Sequence, residues 1–260
     1  MPAALYLFLV LAGALVGFFS GLLGIGGGIL MFPLLLYVPP LLGFDPIGVK
    51  SITGLTMIQG FFAALAAMLY YHKHRLVHKP LVVTLGLSLF LSSLAGSLVS
   101  AAVPDTLLLS IFGILALAAS IVMLIPRSYA RDDLTEEAVR FHKPTAVVMG
   151  VGIGFLTGLV GQGGAFIIIP LLLYVLKVPL RVAFGSTLAI GLFSSSAGLA
   201  GKIATGQVPF HMALALLLGA VPAARFGGAI GRKTDTRFLN RLLAVIIIGT
   251  AVKIGMDIFG

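Results

Sequence analysis

The sequence predicts an all-α, polytopic membrane protein with two internal repeats, each a glycine-broken, re-entrant helix pair plus three spanning helices. Three observations carry this. Of 260 residues, 59% are hydrophobic and only 10% charged, and the mean hydropathy is +1.15. A soluble domain carries about 25% charged residues, so most of this chain must face lipid or membrane-buried protein. Short polar punctuation divides the apolar sequence into runs of bilayer length. Finally, Gly17–Tyr37 (GFFSGLLGIGGGILMFPLLLY) and Gly154–Tyr174 (GFLTGLVGQGGAFIIIPLLLY) align without a gap and are identical at more than half their positions. An unusual element that recurs in one chain marks two structural copies. The expected division is a first repeat over 1–126, a charged cytoplasmic linker over 127–143 and a second repeat over 144–260.

The elements follow in order. Pro2–Phe19 is apolar throughout and reads as the first helix, since it lacks the basic n-region and A-x-A site of a cleaved signal. It runs into Gly21, Gly24, Gly26, Gly27 and Gly28, where helix is disfavoured. Ile29–Val38 resumes as a short helix that Pro39-Pro40 is expected to stop. Ten helical residues reach about 15 Å, half a hydrocarbon core. Ser51–Tyr71 then spans, carrying Thr53, Thr56 and Gln59, and is followed by the basic loop His72–Lys79. Leu81–Ala101 spans with small residues suited to close helix packing. Pro104-Asp105-Thr106 turns the chain into Leu107–Ile125.

Arg127–Lys143 mixes bases and acids, and its EEAVRFHK stretch is a candidate surface helix. Thr145–Leu159 opens the second copy, Gly161–Ala165 breaks it, and Phe166–Leu176 is again short. Val182–Lys202 and Pro209–Ala224 span, Arg225–Arg237 is a second basic loop, and Phe238–Phe259 is the last helix, with Lys253 and Asp257 spaced to pair. The net charge of +9 comes from bases lying between apolar runs. Membrane topology therefore explains it before nucleic acid does, and no nucleic-acid partner is expected. Placing the basic loops in the cytoplasm puts Leu41–Asp45 and the turns near Pro104 and Gly206 outside, and Lys177–Arg181 inside. The two glycine elements then enter from opposite faces as inverted repeats. Ordinary spanning pairs, giving parallel repeats, are the alternative.

The first N–H groups of a helix are unpaired and carry partial positive charge. Irregular backbone at membrane depth persists only inside protein or along a polar cavity. Two short helices that start right after glycines therefore present two donor-rich ends to one small anion. The expected substrate-binding set is Gly26, Gly27, Gly28, Gln162, Gly163, Gly164 and Ala165, with Thr53, Gln59, Ser186, Thr187 and Ser194 from the following helices. Close helix packing is the bland reading of the glycines, and backbone hydrogen bonding that of the hydroxyls. Lys50 and Lys202 lie near helix ends and are read as snorkelling to the interface.

His72, His74 and His78 share a loop with Lys73, Arg75 and Lys79, which disfavours a metal cation. The chain has no cysteine and no HExxH, Walker A or G-x-S-x-G motif. No acid lies clearly inside a span, and Ser194–Ser196 have no histidine at matching depth. The expectation is no enzyme, no cofactor and no resident metal.

The paired glycine runs with Pro33 and Pro170, together with AFGSTLAIGLFSSSAGLAGKIATGQV over Ala183–Val208, resemble the TauE/SafE sulfite exporter family, also called the 4-toluene sulfonate uptake permease family. The likeness covers nearly the whole chain. The family's G-T-S-L pattern stands here as Gly185-Ser186-Thr187-Leu188, and its first-half counterpart is degraded to Ser51-Ile52-Thr53-Gly54. The resemblance implies an inner-membrane transporter of a small anion such as sulfite or a sulfonate. Export is expected, because an interior at negative potential expels a monovalent anion by about 2.3 kcal/mol per 100 mV. Uptake coupled to protons or sodium is the alternative, and a non-transporting membrane subunit is a more distant one. The lipid bilayer is the expected surrounding partner. The oligomeric state stays open, a homodimer included.

Overall fold

The computed structural model describes residues 2–24, 26–72, 77–123, 141–162 and 164–259. These form ten α-helices and no strand: α1 (Pro2–Leu23), α2 (Gly28–Leu41), α3 (Val49–His72), α4 (Lys79–Val99), α5 (Asp105–Met123), α6 (Lys143–Val160), α7 (Ala165–Tyr174), α8 (Leu180–Ala204), α9 (Phe210–Lys233) and α10 (Thr236–Phe259). Among the described residues, α1, α3, α4, α5, α6, α8 and α9 each hold a stretch long and apolar enough to cross a bilayer. The chain is a multi-pass membrane protein. Its exposed apolar stripes, such as Leu7, Leu11 and Leu15 on α1, are lipid-facing surface. The short helices α2 and α7, of 14 and 10 residues, rise about 21 and 15 Å.

The centre belongs to α3 and α8. Their spanning stretches are 72% and 78% buried, against 28–44% for the other five. They run antiparallel, with Thr53 beside Lys202 at one end and Ala64 and Ala67 beside Leu188 toward the other. Two glycine stripes fix the outer pairs. Gly13, Gly17 and Gly21 on α1 lie on the backbone of Leu216, Ala220 and Ala224 of α9. Gly150, Gly154 and Gly158 on α6 lie on α4 at Ser88, Leu89 and Ser93. A β-carbon at Gly17 would come 2.7 Å from Ala220 Cα, so only glycine lets these helices approach. Residue numbers rise together across both contacts, so α1 is parallel to α9 and α4 to α6.

The loops gather on two faces. On one, Gln207 after α8 donates from Nε2 to Ser100 Oγ after α4 at 3.0 Å. The 43–48 loop shares a cleft of about 400 Å³ with Pro209 and Met212 there. On the other, the His78 N–H donates to Ser186 Oγ at 3.0 Å, and the His78 ring meets Phe141 edge-on at 5.9 Å. His78 and His142 cap α4 and α6, their Nδ1 atoms accepting from the N–H groups of Leu81 and Thr145 at 3.3 and 3.4 Å. His78, one of the three histidines of the basic loop His72–Lys79, is thus a helix cap. His74, residues 127–140 with most of the candidate surface helix, and the side chains of Lys253 and Asp257 lie outside what is described.

Three boundaries differ from the sequence reading by three residues or more. α1 continues through Gly21 to Leu23, because Gly21 is held against α9. α2 runs through Pro39 and Pro40 to Leu41. Both prolines sit in its last turn, where the carbonyls of Val38, Pro39 and Pro40 accept from the N–H groups of Leu42, Gly43 and Phe44. α9 extends across the expected basic loop to Lys233 and ends where the Thr234 N–H folds back on Ile230 and Gly231. Asp235 Oδ1 then accepts the Phe238 N–H at 3.1 Å and starts α10.

Candidate functional site

Both short helices begin in the same way. Gly27 precedes α2 with φ 77° and ψ −14°, and Gly164 precedes α7 with φ 77° and ψ −9°. This left-handed conformation is open to glycine and strained for other residues. Neither helix start receives a side-chain cap. The Gly27 carbonyl accepts from Leu30 and Met31, and the Gly164 carbonyl from Ile167 and Ile168. The N–H groups of the first residues, Gly28 and Ala165, are the donors a helix leaves over.

The two turns meet inside the protein. A β-carbon on Gly26 would stand 3.3 Å from the Ala165 β-carbon, and one on Gly28 would stand 3.0 Å from Gln162 Oε1. At this junction lies a cavity of about 10 Å³, lined by Gly24 and Gly26 from the first turn and Gln162 and Ala165 from the second. Gly60 and Ala64 of α3, and Thr187, Leu188, Gly191 and Ser195 of α8, complete the wall. The volume holds about one water. Among the described residues, none that lines it is acidic.

The unusual feature is the state of the polar side chains here. Both amide atoms of Gln162 and the Thr187 hydroxyl are buried without a hydrogen-bond partner. So are both amide atoms of Gln59, which lies on Gly27, and the hydroxyls of Ser194 and Ser20. Leaving such a group unsatisfied costs about 1–3 kcal/mol. Gln162, Gln59 and Thr187 thus bring unused hydrogen-bonding capacity to the two uncapped helix starts.

Of the residues singled out from sequence, Gly26, Gln162, Ala165 and Thr187 line the cavity. Gly27 lies against Gln59 and Gly28 against the lining residue Gln162, while Gly164 lies against Thr157 and Ile168. Ser194 is buried on α8 beside the lining residue Ser195. Gly163 lies outside the described residues. Thr53 and Ser186 stand elsewhere. Thr53 belongs to a cluster around Lys202, and Ser186 Oγ takes the His78 N–H at the opposite face. Thr56 Oγ donates to the Gly161 carbonyl at 2.7 Å, closing the end of α6. Sequence reasoning missed Gly60, Ala64, Gly191 and Ser195. Their signal was a run of small residues one turn apart: Gly60–Ala64 on α3 and Thr187–Gly191–Ser195 on α8.

Lys202 corrects the snorkelling expectation. It is fully buried, with Nζ donating to Ser100 Oγ (2.7 Å), Thr53 Oγ1 (2.9 Å), Leu159 O (3.0 Å) and Gln207 Oε1 (3.0 Å). It sits about 10 Å from the cavity, two turns along α8 from Ser195. Lys50 is half-buried and donates to the Ala101 carbonyl at 2.7 Å.

With this geometry in view, the relatives are informative. The profile of the family described as Sulfite exporter TauE/SafE matches residues 9–254. A probable membrane transporter protein of Xylella fastidiosa (strain 9a5c) is 31% identical, over 94% of this chain and 92% of its own. The probable membrane transporter protein MJ0441 of Methanocaldococcus jannaschii is 27% identical, over 92% of this chain and 91% of its own. YunE of Bacillus subtilis, also a probable membrane transporter protein, is 25% identical over 94% of both chains. No solved structure matches the chain.

Proposed function

The chain belongs to the sulfite exporter TauE/SafE family of membrane transporters, and from that premise we propose that it exports a small sulfur oxyanion, sulfite or an organosulfonate. The observation that carries this reading is the junction of the two glycine turns. Two uncapped helix starts, the unpartnered Gln162 amide and the unpartnered Thr187 hydroxyl converge on one buried cavity. An oxyanion there accepts from amide and hydroxyl donors while two helix dipoles offset its charge. The site needs no basic side chain, and a lining without acid does not repel the anion.

In this reading the two halves have opposite orientation. The parallel pairs α1/α9 and α4/α6 and the antiparallel pair α3/α8 support it, because they follow if helices alternate through the chain and α6 enters against α1. A cavity of about 10 Å³ is smaller than any of these anions. Loading therefore requires the α2 and α7 starts to separate, which alternating movement of the halves provides. The membrane potential supplies the outward drive, about 2.3 kcal/mol per 100 mV for one charge.

The test is flux in proteoliposomes, offering sulfite, sulfoacetate, taurine, sulfate and chloride under an imposed potential. The expected result is flux of sulfite or a sulfonate that quickens toward the positive side. Flux that appears only with a proton or sodium gradient would turn the reading to uptake. Movement of none of these anions would overturn it.

A further inference from the structure

The Lys202 cluster sits outside the cavity and has its own chemistry. An ammonium has three protons and accepts nothing. Nζ has four oxygens at 2.7–3.0 Å, so its donors are spent and none is left for an anion. The oxygens show it only lone pairs. Leu159 O is a carbonyl. Thr53 Oγ1 donates its own proton to Lys50 O at 2.7 Å, and Ser100 Oγ to Ser97 O at 2.6 Å. Gln207 is oriented by its Nε2, which donates to Ser100 Oγ and Thr205 Oγ1 at 3.0 and 2.8 Å, and this turns Oε1 to the lysine.

No carboxylate among the described residues pairs with Lys202. Helix ends take that role. Ser100 is the C-cap of α4, Leu159 lies in the last turn of α6, and Lys202 in that of α8. Three helix C-termini thus meet the start of α3, where Thr53 stands, and direct partial negative charge against the positive end of that one helix. Neutral oxygens at converging helix C-termini are also how membrane transporters hold a coupling cation.

We infer that this oxygen cage is a cation site that the protein fills with its own ammonium, so transport proceeds without a bound inorganic cation. The cage stands on geometry alone, and the statement about transport rests on the function proposed above. Lys202 fastens α3, α4, α6 and α8 at one face, as a bound ion would, but cannot dissociate. Shortening the side chain should leave an oxygen-lined site open to Na⁺ or K⁺.

The experiment melts the detergent-purified wild type, Lys202→Ala and Lys202→Met in NaCl, KCl and N-methyl-D-glucamine chloride at equal ionic strength. The organic cation is too large for the cage. The wild type should melt at one temperature in all three salts. Lys202→Ala should melt lower in the organic salt and regain several degrees in Na⁺ or K⁺. Lys202→Met, which refills the space with methylenes, should show no such gain. Recovery of folded Lys202→Ala only when Na⁺ or K⁺ is present throughout purification is the same result in stronger form. A wild type stabilised by Na⁺ or K⁺, a Lys202→Ala indifferent to them, or a Lys202→Ala that folds in no salt would each overturn the inference. Replacing Na⁺ and K⁺ in the flux assay should leave wild-type rates unchanged. That arm depends on anion transport and the melts do not, so the two failures are distinguishable.

Discussion

Gly28 of the first glycine turn rests on Gln162 of the second. A β-carbon at Gly28 would lie 3.0 Å from Gln162 Oε1, 3.1 Å from its carbonyl oxygen and 3.2 Å from its Cα. The starts of α2 and α7 are therefore in register at van der Waals distance. Gly28→Val should displace Gln162 from the junction and reduce anion flux at least tenfold, at an overpacking cost of about 1–3 kcal/mol. Gly27→Val and Gly164→Val add the strain of a left-handed residue and should abolish flux with the protein still in the membrane. Flux normalised to membrane protein checks all three.

Thr187 separates function from stability. Its hydroxyl is fully buried with no partner, so Thr187→Val removes an unsatisfied group and keeps the shape. The melting temperature should hold or rise. Anion affinity should fall, because a hydrogen bond to a charged group is worth about 1.5–3 kcal/mol, roughly ten- to a hundredfold. Melting curves and the concentration dependence of flux on one preparation give both numbers.

Gln162 lines the cavity with donors and acceptors both unused. Gln162→Leu should weaken transport by removing donors. Gln162→Glu, of nearly equal size, should weaken it further by placing a carboxylate beside the anion. The order wild type, Leu, Glu in flux is the expected result. A Glu variant equal to wild type would mean the anion does not pass this residue.

Much of this was legible in the sequence, and the exceptions share a cause. The glycine turns, Gln162 and Thr187 stand out in the sequence because repetition and apolar surroundings are properties of the linear chain. Lys202 was misread because a lysine near a helix end usually reaches water. Its burial depends on where α4 and α6 end, which local sequence does not show. Ser186 and Thr53 carry hydroxyls of the expected kind, but the His78 backbone and Lys202 engage them. The basic stretch after Ala224 stays helical because Gly227 packs against Phe18 of α1, a contact invisible to charge counting.

The glycine stripes test the packing independently of the site. Gly17→Leu on α1 and Gly154→Leu on α6 would drive side chains into α9 and α4. Each should destabilise by several kcal/mol and remove folded protein from the membrane. Expression and size-exclusion profiles read this directly. The cavity variants Thr187→Val and Gln162→Leu should behave as wild type in the same assay.

The measurement that bears most directly on the central claim is a structure of the protein determined with sulfite bound. The account predicts anion density between the two glycine turns, within hydrogen-bond reach of the Gly28 and Ala165 N–H groups, Gln162 and Thr187, with the turns moved apart to admit it. Density away from these groups, in a protein that transports sulfite, would contradict it.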